Sequence, residues 1–96
     1  MAKKVRRSSA QTRLRFGMML HKARESYGEG LSKVELAKLI GVSPKTIASW
    51  ESGRTFIHDL ELIPRLLDTI DFDVIQALKE AAFGPGLKEL KKKGVV

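Results

Sequence analysis

LSKVELAKLIGVSPKTIASWESG, residues 31–53, reads as two short helices joined by a tight turn. Ser32 and Glu35 have capping-box spacing: the serine hydroxyl accepts from the backbone N–H three residues on, and the glutamate reaches back to the serine N–H. Leu31 and Leu36 occupy the hydrophobic-staple positions around that cap. The first of these helices buries Val34 or Leu36, with Ala37 and Ile40, and ends at Gly41, the residue type best suited to a left-handed C-terminal cap. Ser43 caps the next helix, and Pro44 fills its first position, where no helical backbone donor is lost. Val42 and Ile47 form a second staple. At about 100° per residue, Ile47, Trp50 and Glu51 share one face of this helix. Lys45, Ser49 and Ser52 share the opposite face, with Thr46 and Ala48 at its borders. A helix anchored on one side and short and polar on the other has the form needed to approach base edges in a DNA major groove.

Upstream, Ser8 and Gln11 have capping-box spacing, so a first helix is expected from Ser8 or Ser9 through Phe16, Met19, Leu20 and Ala23 to about Ser26. Gly17 inside it lowers helix propensity and predicts a close helix contact. Residues 27–30, YGEG, form a turn. Downstream, Asp59 is placed to cap a fourth helix, LELIPRLLDTI, and Pro64 inside it predicts a late start or a kink. Asp71 or Asp73 starts a fifth helix with Val74, Leu78 and Phe83 on its apolar side, and Gly84-Pro85-Gly86 ends it. These boundaries divide the chain into a mobile basic arm (1–9), a helical DNA-binding domain (10–83) and a frayed basic tail (84–96). No β pattern or internal repeat is visible.

A chain of 96 residues makes one domain with a small core. Its net charge of +7 is unevenly placed: residues 1–58 carry +8 and residues 59–96 carry −1. The excess lies on the half that holds the two-helix segment, which points to a polyanionic partner. There is no cysteine, which excludes disulfides and thiolate metal sites and fits a reducing cytoplasm. His21 and His58 read as ordinary surface histidines, so no metal site or other cofactor is expected. No apolar run approaches the ~18 residues of a membrane span, and no apolar stretch of a signal peptide follows the basic N-terminus. No arrangement of His, Ser or paired carboxylates resembles a catalytic set, so an enzyme is not expected.

A helix-turn-helix requires a small residue where its helices cross, a turn residue tolerant of positive φ, and two apolar anchors in the recognition helix; Ala37, Gly41, Ile47 and Trp50 supply them. With Phe16-Gly17, Ala23-Arg24-Glu25, Leu31-Ser32, Glu35-Leu36-Ala37, Gly41-Val42-Ser43, Thr46-Ile47 and Trp50-Glu51-Ser52-Gly53-Arg54, the chain resembles the lambda-repressor-like family of bacterial and phage Cro/repressor-type (XRE) helix-turn-helix domains. The resemblance spans roughly residues 12–80 and implies an all-α fold of five short helices, with helices two and three as the DNA-reading pair. It also implies that Ser43 to Ser49 read bases and that Lys33, Ser52 and Arg54 meet phosphates, with Arg24 and Glu51 forming a salt bridge inside the fold. The chain departs from the family in three places: a longer turn after helix one, Phe56 and Ile57 in place of a frequent proline after Arg54, and lysine rather than glutamine at Lys33.

On this reading Lys45 makes a bidentate contact to guanine, Thr46 and Ser49 reach bases or phosphates, and Pro44 offers at most an apolar contact to a thymine methyl. Ser43 joins the phosphate contacts. The arm residues Lys3, Lys4, Arg6 and Arg7 either reach around DNA or form a solvated tail. Phe56, Ile57, Phe72 and Phe83 are core or dimer surface, and Phe72, Val74, Leu78 and Phe83 are the dimer candidates. The function expected is a double-stranded-DNA-binding transcriptional repressor acting as a homodimer in a prokaryotic or phage-infected cytoplasm, its two recognition helices about 34 Å apart. A rival reading is an antitoxin of a type II toxin–antitoxin pair, which GVSPKTIASWESGR also resembles; it would bind its own operator and a toxin protein.

Overall fold

Each helix starts where a side chain or turn replaces missing backbone partners. The computed structural model describes residues 8–92, with side chains through residue 84. Its helices are α1 (Ser9–Ser26), α2 (Lys33–Ile40), α3 (Pro44–Glu51), α4 (Leu62–Ile70) and α5 (Val74–Lys92), and no strand occurs among the described residues. Both expected capping boxes are formed: Ser8 with Gln11 at α1, and Ser32 with Glu35 at α2. The Ser32 backbone N–H and hydroxyl also hold the Glu35 carboxyl below the usual carboxylate range. Gly41 closes α2 in the left-handed region, φ 83 and ψ 35.

The fourth helix takes the late start. Asp59 does not cap it directly; its Oδ1 accepts from Glu61 N–H at 2.9 Å, and backbone bonds from Leu62 and Ile63 to Asp59 and Leu60 turn the chain into the helix. Pro64 thereby falls in the first turn, where its missing N–H is no loss. Asp71 ends α4 at φ 57, a left-handed conformation that aspartate tolerates better than most residues. Asp73, rather than Asp71, caps α5: its Oδ1 accepts from Gln76 N–H at 3.1 Å. At Gly84-Pro85-Gly86 the first helical stretch of α5 ends, as the sequence predicts. Gly84 leaves helical geometry, φ 74 and ψ 169, and helical turns resume beyond this kink to Lys92.

α1 is the central element and packs against α3 and α5, while α2 packs against α3 and α4. The core joins Phe16 and Leu20 of α1 to Leu36 and Ile40 of α2, Ile47 of α3 and Leu66 of α4, all at most 1% exposed. Leu36, not Val34, is the inward residue of α2; Val34 is exposed. Phe16 meets Phe56 and Phe72 edge-on, at centroid distances of 4.8 and 5.6 Å.

The α1–α3 crossing depends on Gly17. A Cβ there would collide with the Trp50 carbonyl oxygen and stand 2.6 Å from that of Glu51. The glycine therefore lets the last turn of α3 lie directly on α1, which fixes the direction in which the outer face of α3 points.

Candidate nucleic-acid interface

The outward face of α3 is built from its N-terminus. Ser43 Oγ accepts from Thr46 N–H at 3.2 Å and is hydrogen-bonded to Thr46 Oγ1 at 3.0 Å. Pro44 and Lys45 are exposed, and Thr46, Ala48 and Ser49 are half-buried. Ser49 Oγ pairs with Thr55 Oγ1 at 2.8 Å, and Ser52 Oγ donates to the Ser49 carbonyl at 3.1 Å. Short hydroxyl side chains held by each other leave Lys45 as the long cationic group on this face. Lys33, at the first position of α2, and Arg54, just past α3, are exposed; neither forms a salt bridge among the described residues.

The inner face of α3 is locked. Ile47 and Trp50 are in the core, and the Glu51 side chain is only 6% exposed. Arg24 meets Glu51 with two hydrogen bonds, Nε to Oε2 at 2.7 Å and Nη2 to Oε1 at 3.0 Å, and its Nη1 donates to the Leu31 carbonyl. Arg24 is the buried charged residue of the core region, at 5% exposure. Burial pushes the Glu51 carboxyl up, but hydrogen bonds from Arg24 and His21 and their positive field outweigh it and hold Glu51 below its ordinary value. The hydrogen bond to Glu51, opposed by burial, raises Arg24 further above its already high value. The pair ties the end of α3 to α1 and to the start of the α2 approach.

His21 is exposed, in keeping with its reading as a surface histidine, but it has partners that the sequence did not show. Its Nδ1 lies 2.9 Å from Glu51 Oε1 and its Nε2 lies 3.2 Å from Glu25, so it edges the buried pair. Sequence spacing carries no signal of this contact, because His21 and Glu51 are thirty positions apart. Thr55 and Arg13 were also not singled out by sequence. Arg13 Nε donates to the Gly53 carbonyl at 3.1 Å, and Gly53, at φ 79, lies against the Leu14 backbone. Arg13 thus holds the turn that carries Ser52 and Arg54. The chemical hint was a glycine directly after a recognition-helix serine, which marks a close approach but not its partner.

The residues set aside for a dimer surface separate. Phe72 and Val74 are in the core, 7% and 2% exposed, because the turn between α4 and α5 points them inward, Phe72 against Phe16. Ile57 is buried beside them in the same core, and Phe56 packs against it. Leu78 and Phe83 are half-buried and line a groove with Thr12, Phe56 and Lys79. Lys3, Lys4, Arg6 and Arg7 lie outside the described residues. Among the described residues there is no group of three His, Asp or Glu that could hold a metal ion, and no helix is long and apolar enough to cross a membrane.

Five helices, with a capped, inward-locked third helix set by a glycine turn against the second, define a helix-turn-helix DNA-binding domain. A family model described as helix-turn-helix matches residues 20–75. The chain belongs to the lambda-repressor-like (Cro/repressor-type, XRE) helix-turn-helix family of DNA-binding transcription regulators. It is similar in structure to the clp gene regulator ClgR from C. glutamicum, at TM-score 0.59 and 25% identity, over 82% of this chain and 94% of that one. No curated protein matches the chain.

Proposed function

We propose that this chain is a sequence-specific transcriptional repressor that binds double-stranded DNA as a homodimer in the cytoplasm, with α3 in the major groove. The observation that carries this reading is the division of α3: Ile47, Trp50 and Glu51 are buried, while Pro44, Lys45, Thr46 and Ser49 form a short outer face. Lys45 reads a guanine edge, and the hydroxyls of Thr46 and Ser49 contact bases or phosphates. Lys33, Ser43, Ser52 and Arg54 take phosphates on either side. The backbone N–H groups at the start of α2 and the positive end of its dipole favour an anion beside Lys33. The similarity to a clp gene regulator supports transcriptional control as the use of this surface.

Selection of bound sites from random duplex DNA tests the reading. A two-fold symmetric consensus with a guanine at the Lys45 position is the expected result. No enrichment, even at low salt, would sink sequence-specific recognition. Copurification of a small toxic partner together with binding to its own promoter would favour the antitoxin reading instead.

A further inference from the structure

The outer face of α4 and the turn before it form a surface that the proposed DNA recognition leaves unused. Pro64 and Leu67, three residues apart, lie on the side of α4 away from Leu62, Leu66 and Ile70, and Leu60, in the turn that leads into the helix, is exposed at its start. Leu60 is 76% exposed and Leu67 is 48% exposed. These apolar residues are bordered by carboxylates. Residues 59–73 hold Asp59, Glu61, Asp68, Asp71 and Asp73, all exposed, against one cation, Arg65. That cation is already engaged, donating to the Ile40 carbonyl at 3.0 Å and facing Glu61 at 3.4 Å.

We infer that this surface docks a cationic amphipathic helix of a partner protein. Nucleic acid is repelled by the carboxylates. A second copy of the chain meeting the same face across a two-fold axis would place carboxylates opposite carboxylates, which disfavours that pairing. A helix with leucine-like side chains on one face and lysine or arginine beside them satisfies both features: its apolar residues cover Leu60 and Leu67, and its cations meet the acidic border. The face lies on a different helix from the proposed reading surface of α3, and the inferred partner binds together with DNA. The partner is thereby brought to the DNA site.

The test uses the full chain and two synthetic amphipathic peptides of one leucine pattern, one with lysine and one with glutamate at the polar positions. Fluorescence anisotropy reads binding. Because the whole chain is at +7, general attraction would favour the glutamate peptide, so tighter binding of the lysine peptide reports a local acidic site. The expected result is preference for the lysine peptide, weakened about tenfold or more by Leu60→Ser with Leu67→Ser, with DNA affinity unchanged. The charge variant Glu61→Lys with Asp68→Lys should weaken it similarly, and both variants leave the buried residues of α4 in place. Binding of both peptides alike, or lysine-peptide binding untouched by either variant, overturns the inference. So does a full chain that binds the lysine peptide only after residues 85–96 are removed, since the face would then belong to the chain's own lysine-rich end.

Discussion

Arg24 and Glu51 share a site that neither occupies comfortably alone. Each charge is almost fully covered, and each is stabilised by the other, with the Leu31 carbonyl as a further partner of Arg24 and His21 as a further partner of Glu51. Removing one leaves the other stranded, so Arg24→Ala should lower stability by about 3 kcal/mol, read by urea denaturation at neutral pH. The acid limb follows from Glu51. Its folded value is below its unfolded value of about 4.3, so its contribution is fully present above that value and is lost as pH falls through the lower folded one. The chain should therefore lose more stability between neutral pH and about pH 3 than Glu51→Gln, which starts less stable but cannot titrate there. Equal acid losses in the two proteins would remove Glu51 from the account. At the outer face the proposed function makes Lys45 the decisive residue. Lys45→Ala should relax preference at one base pair by about 1–3 kcal/mol, whereas Arg54→Ala should weaken all sequences alike. An unchanged consensus for Lys45→Ala would show that the reading face is assigned wrongly.

At the scale of helices, position depends on a few close approaches. Gly17→Ala puts a methyl into the carbonyl oxygens of Trp50 and Glu51, and α3 cannot give way without moving Ile47 and Trp50 from the core. A loss of about 2–3 kcal/mol is expected despite the better helix propensity of alanine, measured by thermal unfolding. A gain would mean that α1 and α3 sit further apart. Asp71 gives the opposite sign: it closes α4 at φ 57, so Asp71→Gly should stabilise by up to about 1 kcal/mol. What sequence made legible at this scale was local. Ser8 with Gln11, Ser32 with Glu35, Ser43 with Pro44, and Gly41 each announce a helix end through bonds made within four residues. Gly17 announced a contact but not its partner. What it left illegible was non-local: His21 against Glu51, Arg13 against Gly53, and Arg65 capping the end of α2 at Ile40 join segments that only the folded chain brings together. The inward turn of Phe72 and Val74 is of the same kind, since an apolar residue at a helix start has no periodicity to say which side it faces. The two faces of α3 were more legible than their supports, because α3 carries its exposed and buried residues on one short periodic element.

Over the whole molecule, charge is sorted along the chain. Residues 1–58 hold +8, residues 59–73 hold −4, and the two-helix segment lies in the positive part. On the proposed function the basic segment meets DNA, so affinity should fall steeply with salt as phosphate-bound counterions are released. The slope of log affinity against log salt also counts contacts, at about 0.9 per phosphate neutralised on duplex DNA. Lys33→Ala removes one proposed contact from each protein bound. A protein that binds as a single copy should therefore lose about 0.9 from the magnitude of its slope, and a dimer about 1.8, without change in the preferred sequence. Titration of the selected duplex across a range of salt concentrations separates the two. A slope unaltered by Lys33→Ala would place the start of α2 off the phosphate backbone, and with it the docking of α3, since in a helix-turn-helix the first helix of the pair sets how the second enters the groove.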